Sequence, residues 1–201
     1  MGFLDRLRPK GTETPPSGAD ARSTREVPPP PPQRALSDDE AAGLQSLMDR
    51  ASKSADLTGA FEISERGGVW METTDGGSML TGGTLAEEAA ALVRGKHFTE
   101  WADRIHDLER DGDVDGALAL ALECVDATER EARLSGLSPA PGYTEMAAII
   151  YRQRHDYDAE IALIERYLTA RRAAASANPG ALNAKLSERL EKAKALRAKR
   201  P

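Results

Sequence analysis

Only one cysteine, Cys124, occurs in the 201 residues. No disulfide can form within the chain, and no thiolate cluster can gather a metal. Cys124 sits in an apolar helical pattern without a base that spacing assigns to it, so it reads as a small buried hydrophobe. Histidine is nearly as scarce. His97, His106 and His155 each lie in or beside a charged stretch, none four residues from another as a helical metal pair requires, and all three are expected on solvated surface. Aromatics are 4% of the chain, and much of its 40% hydrophobic fraction is alanine, a composition for closely packed helices. No apolar run reaches the roughly 18 residues of a membrane-spanning helix. The N-terminus lacks the apolar centre of a secretion signal, so a cytoplasmic location is expected.

The motifs of chemistry are lacking too. No serine stands in a Gly-x-Ser-x-Gly elbow. Gly67-Gly68, Gly76-Gly77 and Gly82-Gly83 lack the Lys-Ser/Thr ending of a phosphate loop, and no dinucleotide fingerprint follows a strand, so these pairs belong to turns. Asp111, Asp113 and Asp115 alternate like the start of a calcium loop, but Leu122 stands where the closing glutamate belongs. No catalytic residue, metal or cofactor is therefore expected.

What is present is mostly helix, and the chain divides into four stretches. The first 36 residues, with Pro15, Pro16 and the run Pro28 to Pro32, are expected to form a disordered or polyproline arm. Its opening places Phe3, Leu4 and Leu7 on one side of a short helix that would suit a membrane surface or a protein groove. Residues 37–95 hold a helix, a small β-element and a second short helix. Ser37 and Glu40 form a capping-box signal for a helix over 38–52, striped by Leu44, Leu47, Met48 and Ala51. Ala60 to Ser64 and Val69 to Thr73 alternate as a β-hairpin, which needs a third strand around Ser78 to Thr81 or a helix to lean on. Thr84 and Glu87 cap the short helix, with Gly95 as its expected end.

Residues 96–175 carry helical hairpins. Phe98, Trp101, Ala102, Ile105 and Leu108 share one helix face up to Gly112. A second helix starts near Val114, with an apolar stripe broad enough to be covered on two sides. Ser138 to Gly142 break the run, and further helices follow through Tyr151 and Ile161. Residues 176–201 form a basic C-terminal helix, opened by Asn178 and Pro179. The fold class expected is mainly α, with antiparallel hairpins behind the β-hairpin and the arm.

The hairpins resemble tetratricopeptide units. Trp101 and Leu108 match that family's large positions, Gly112-Asp113-Val114 its turn and Ala117 its small site; Ala148, Tyr151, the turn His155-Asp156-Tyr157 and Ile161 form the second match. Glu160 departs from the family's alanine. The turns stand 43 residues apart, from Val114 to Tyr157, where the family repeats every 34. The resemblance implies a groove for a peptide or protein. The stretch from Met146 to Tyr167 also resembles the helical region of bacterial HIRAN-domain proteins. The β-region is too short to be that domain, so no DNA-end-binding residue carries over.

Charge patterning suggests surfaces. Thr99 to Glu131 holds eleven acidic and three basic residues, and Lys185 to Arg200 seven basic and two acidic. The acidic face would attract a basic partner or stay solvated, and the basic helix would touch phosphates or pack back on acidic helices. The function expected is a scaffold binding a protein or peptide, with Asp107, Asp111, Asp113, Asp115, Arg152 and Arg154 as candidate contacts. Trp101, Leu108, Ala117, Tyr151, Tyr157 and Ile161 are the expected anchors. A nucleic-acid accessory role through the basic helix, or tethering to a membrane through the N-terminal segment, is the alternative.

Overall fold

A computed structural model describes residues 35–54, 56–175 and 181–200. The proline-rich arm up to residue 34, its amphipathic opening and the Asn178-Pro179 helix start lie outside the described residues.

Helix α1 (Asp38–Ala51) opens with both bonds of a capping box: the Glu40 N–H donates to Ser37 Oγ at 3.2 Å, and the Ser37 N–H donates to the Glu40 carboxylate at 3.0 Å. Three antiparallel strands follow, β1 (Leu57–Ile63), β2 (Gly68–Thr73) and β3 (Ser78–Thr84), in that spatial order. The third strand that the hairpin needed is therefore present. Register puts Met71 opposite both Phe61 and Met79, and Trp70 opposite Glu62 and Leu80. Paired residues share a face. One face carries Val69 and Met71, buried with Leu47, Ala51 and Leu85 in a small apolar cluster. The other carries Trp70 and Leu80, both exposed.

Helix α2 (Leu85–Ala90) starts with a second capping box, Thr84 and Glu87. It lies unusually close to α1: a Cβ built on Gly43 would stand 2.9 Å from both Ala89 N and Leu85 O. Gly95 does not end this helix. The chain instead makes a two-residue hairpin, β4 (Leu92–Val93) with β5 (Lys96–His97), turned by Arg94 and Gly95 at φ 49° and 81°. Positive φ at both central residues suits the twist of paired strands. Phe98–Glu100 form a single 3-10 turn, so Phe98 and Trp101 precede helix α3 (Ala102–Arg110) rather than striping it.

Helices α4 (Val114–Ser135), α5 (Pro141–Gln153), α6 (Tyr157–Ala173) and α7 (Ala181–Ala198) pack each on the next, α3 on α4, and α2 across α4. Helix α4 is covered on more than one side, with Ala117, Leu120, Ala121, Cys124, Val125 and Thr128 all at 1% exposure or less. The architecture is mainly α.

The two hairpin turns close alike. At the first, the Asp113 N–H donates to Leu108 O at 2.9 Å; at the second, the Asp156 N–H donates to Tyr151 O at 2.9 Å. Each aspartate then caps the next helix through its side chain, Asp113 to the Gly116 N–H and Asp156 to the Ala159 N–H. The residue before each is left-handed, Gly112 at φ 85° and His155 at φ 56°. Histidine there accepts a backbone region that glycine enters without cost.

Candidate functional site

A cleft of about 500 Å³ opens between α1, the inner face of the sheet, α2 and the end of α4. Its lining is mainly apolar: Leu47 and Ala51 from α1, Leu57 and Met71 from the sheet, Met79 from the edge strand β3, and Leu137 after α4. Gly136 at φ 71° ends α4 and turns the chain toward Leu137. Met79 and Leu137 are 48% and 57% exposed. Those side chains therefore offer apolar surface that the folded chain leaves uncovered.

The polar lining comes from Arg50, Glu87, Glu88, His97 and Glu131. Glu88 is buried and bonded to the Arg50 guanidinium. Burial raises its pKa, with the arginine acting against the rise. Glu87 is occupied at its helix start, where its carboxylate accepts from the Thr84 N–H at 2.7 Å. The carboxylate of Glu131, half-buried on the last turns of α4, makes no hydrogen bond or ion pair with any described residue. Its pKa is raised, first by burial and then by Glu88 and Glu87, with the more distant Arg50 charge acting against the rise. The cleft thus holds three carboxylates against one guanidinium.

His97 is not on the surface: it is 6% exposed. Its Nδ1 accepts from the Thr99 N–H at 3.3 Å and lies 2.8 Å from the Thr99 hydroxyl. The proton of the neutral ring is accordingly assigned to Nε2, which faces Glu88 at 4.0 Å. Burial and the nearby Arg50 charge push its pKa down to about 4. A neutral imidazole stacked on Phe98, with ring centroids 4.4 Å apart, forms the wall behind Glu88. His106 and His155 are exposed.

The candidate contacts drawn from sequence lie at the hairpin turns, away from this cleft's lining. Asp107 pairs with Arg110 at 2.7 Å and Asp113 caps α4, whereas Asp111 is exposed at the end of α3. Asp115 meets Arg154 at 2.7 Å, joining the turns of the two hairpins. Arg152 is engaged inside the molecule: its Nε and Nη2 donate to Glu160 at 2.6 and 2.9 Å, and Nη2 also donates to Arg189 O at 3.1 Å. Of the anchors, Ala117 and Ile161 are buried. Trp101, Leu108 and Tyr151 are partly buried against the main core, and Tyr157 is half-buried with its hydroxyl 3.0 Å from His155 Nδ1. The Trp101 indole donates to Val93 O at 3.1 Å, tying the small hairpin to the start of α3.

Part of the charge on the basic helix pairs with α6. Arg189 reaches Glu160 at 3.2 Å, Lys194 reaches Glu165 at 2.9 Å and Arg197 reaches Asp158 at 3.2 Å, all on α6. Among the described residues no group of three or more His, Cys, Asp or Glu side chains is placed to hold a metal ion, and no helix is long and apolar enough to cross a membrane. Comparison of the chain with family models, curated proteins and solved structures finds no match.

Proposed function

We propose that this chain is an adaptor that holds a segment of another protein in the cleft between the sheet and the end of α4. The carrying observation is the pair of exposed lips, Met79 and Leu137, on a mainly apolar cleft of about 500 Å³. That volume falls in the range of roughly 300–1,000 Å³ in which proteins seat ligands and side chains. The likeness of the hairpins to tetratricopeptide units supports a binding rather than a chemical role, as does the matching closure of their two turns. Pairing of the α7 cations with α6 carboxylates leaves less free positive charge for phosphates, which favours a protein partner over nucleic acid.

Site-specific photo-crosslinking in cells tests the reading. A benzophenone side chain at position 79 or 137 is expected to yield one discrete protein adduct. The same group at Asp111 tests the turn that the acidic run marks. An adduct at Asp111 alone would move the site to the hairpin turns, and none at any of the three positions would overturn the adaptor reading.

A further inference from the structure

Resting on the docking reading, we propose that the segment held in the cleft is cationic and amphipathic, with an arginine or lysine placed on Glu131 between apolar side chains that cover Met79 and Leu137. The three carboxylates of the cleft are not equivalent. Glu88 has its cation in Arg50, and Glu87 is bonded to the backbone at the start of α2. The Glu131 carboxylate alone makes neither contact and feels Arg50 only at a distance, although it is half-buried and faces two other carboxylates. An apolar segment laid across Glu131 would strip its water and give nothing back, which disfavours that occupant for an ionised group. An acidic segment would add repulsion from all three carboxylates. A guanidinium or ammonium instead makes a charge-assisted hydrogen bond to Glu131 and relieves its repulsion with Glu87 and Glu88.

The apolar half of the match comes from the lips. Leu137 follows Glu131 by six residues, across the left-handed turn at Gly136, and Met79 stands on the edge strand. A cation flanked by leucine-like or methionine-like side chains therefore meets charge at the centre and apolar surface on either side. Specificity would come from the centre and most of the buried area from the lips.

Selection from a displayed random dodecapeptide library on the full chain tests this. The expected result is enrichment of peptides that pair Arg or Lys with Leu, Met or Phe. Affinity for a selected peptide, measured by fluorescence anisotropy, should weaken about tenfold with Glu131→Gln. Glu131→Lys should turn selection toward Asp and Glu, and Asp111→Asn should change nothing. Circular dichroism of each variant keeps a folding defect from being taken for lost binding. Enriched peptides without a cation, or indifference to Glu131→Gln, would overturn the cationic assignment while leaving docking intact. Enrichment of nothing would overturn docking itself, as would binding unchanged by a Met79→Glu, Leu137→Glu double variant.

Discussion

At Glu160 a charged side chain with 0% exposure stands on the buried face of α6. Taking a carboxylate out of water is costly, and two guanidiniums offset that cost: Arg152 in a two-pronged contact and Arg189 from α7. Glu160 is thus the centre of a three-helix clasp joining α5, α6 and α7. Glu160→Ala should cost about 3–5 kcal/mol in chemical denaturation, because two cations lose their partner in a part-buried site. Replacing Arg152 and Glu160 together by methionine should recover part of the loss, since one of the two stranded cations goes with the carboxylate while Arg189 stays without its partner. Equal losses in the single and double variants would refute the clasp. His97 makes a second prediction at this scale. With its pKa held near 4 against an ordinary 6.5, the unfolded chain takes up this proton well before the folded one. Its contribution to stability is complete above pH 6.5 and falls as pH drops toward 4, by about 2 kcal/mol at about pH 5. Glu88 and Glu131, whose pKa values are raised, act in the opposite sense, because the folded chain protonates them first. Melting temperature should decline between about pH 7 and about pH 5, and more steeply in the parent than in His97→Gln. Parallel profiles would mean that His97 is protonated without penalty.

At the scale of elements, α1 and α2 meet through the gap at Gly43. In an isolated helix Gly→Ala gains about 1 kcal/mol. Here the new methyl would stand 2.9 Å from backbone N and O atoms of α2, which cannot rotate away. The clash wins, and Gly43→Ala should lower stability by about 1–3 kcal/mol in thermal melts; a gain would show that α2 is free to shift. Helices of this chain could be found from sequence because caps and periodicity marked them locally. Ser37 with Glu40 and Thr84 with Glu87 cap where their spacing said, and α4 begins at Val114 as expected. The hairpin at Leu92 to His97 could not, because two-residue strands have no alternation to display. Gly95 misled for a physical reason: a helix end and a tight hairpin both require positive φ there. His97 is buried because the Arg94–Gly95 turn folds its strand back toward α1, a contact between segments far apart in sequence that local charge does not reveal. The cleft itself was out of reach, since Arg50, Met79, Glu88, Glu131 and Leu137 meet only after the sheet and α4 are in place.

Across the residues from 36 onward, the apolar interior is divided in a way that bears on function. The larger cluster runs from Ala91 and Val93 through α3 to α7, and the smaller one is confined to α1, the sheet and Leu85. Helix α4 contacts α2, α3 and α5, so no neighbour can leave without uncovering it. The sheet, by contrast, rests one face on a few side chains and shows Phe61, Trp70, Met79 and Leu80 to solvent at 42% to 48% exposure. Local opening follows buried contact, so the sheet should open without the helices. Amide exchange followed by mass spectrometry should find peptides over β1 to β3 exchanging well ahead of those over α4 and α5. Uniform protection would instead make residues 36 onward a single cooperative unit. The difference matters for docking, because β3 and its Met79 form one wall of the cleft while Glu131 stands on the more firmly held α4. A bound segment would bridge a mobile wall and a fixed one, and protection of β1 to β3 should rise when a selected cationic peptide is present while that of α4 stays unchanged.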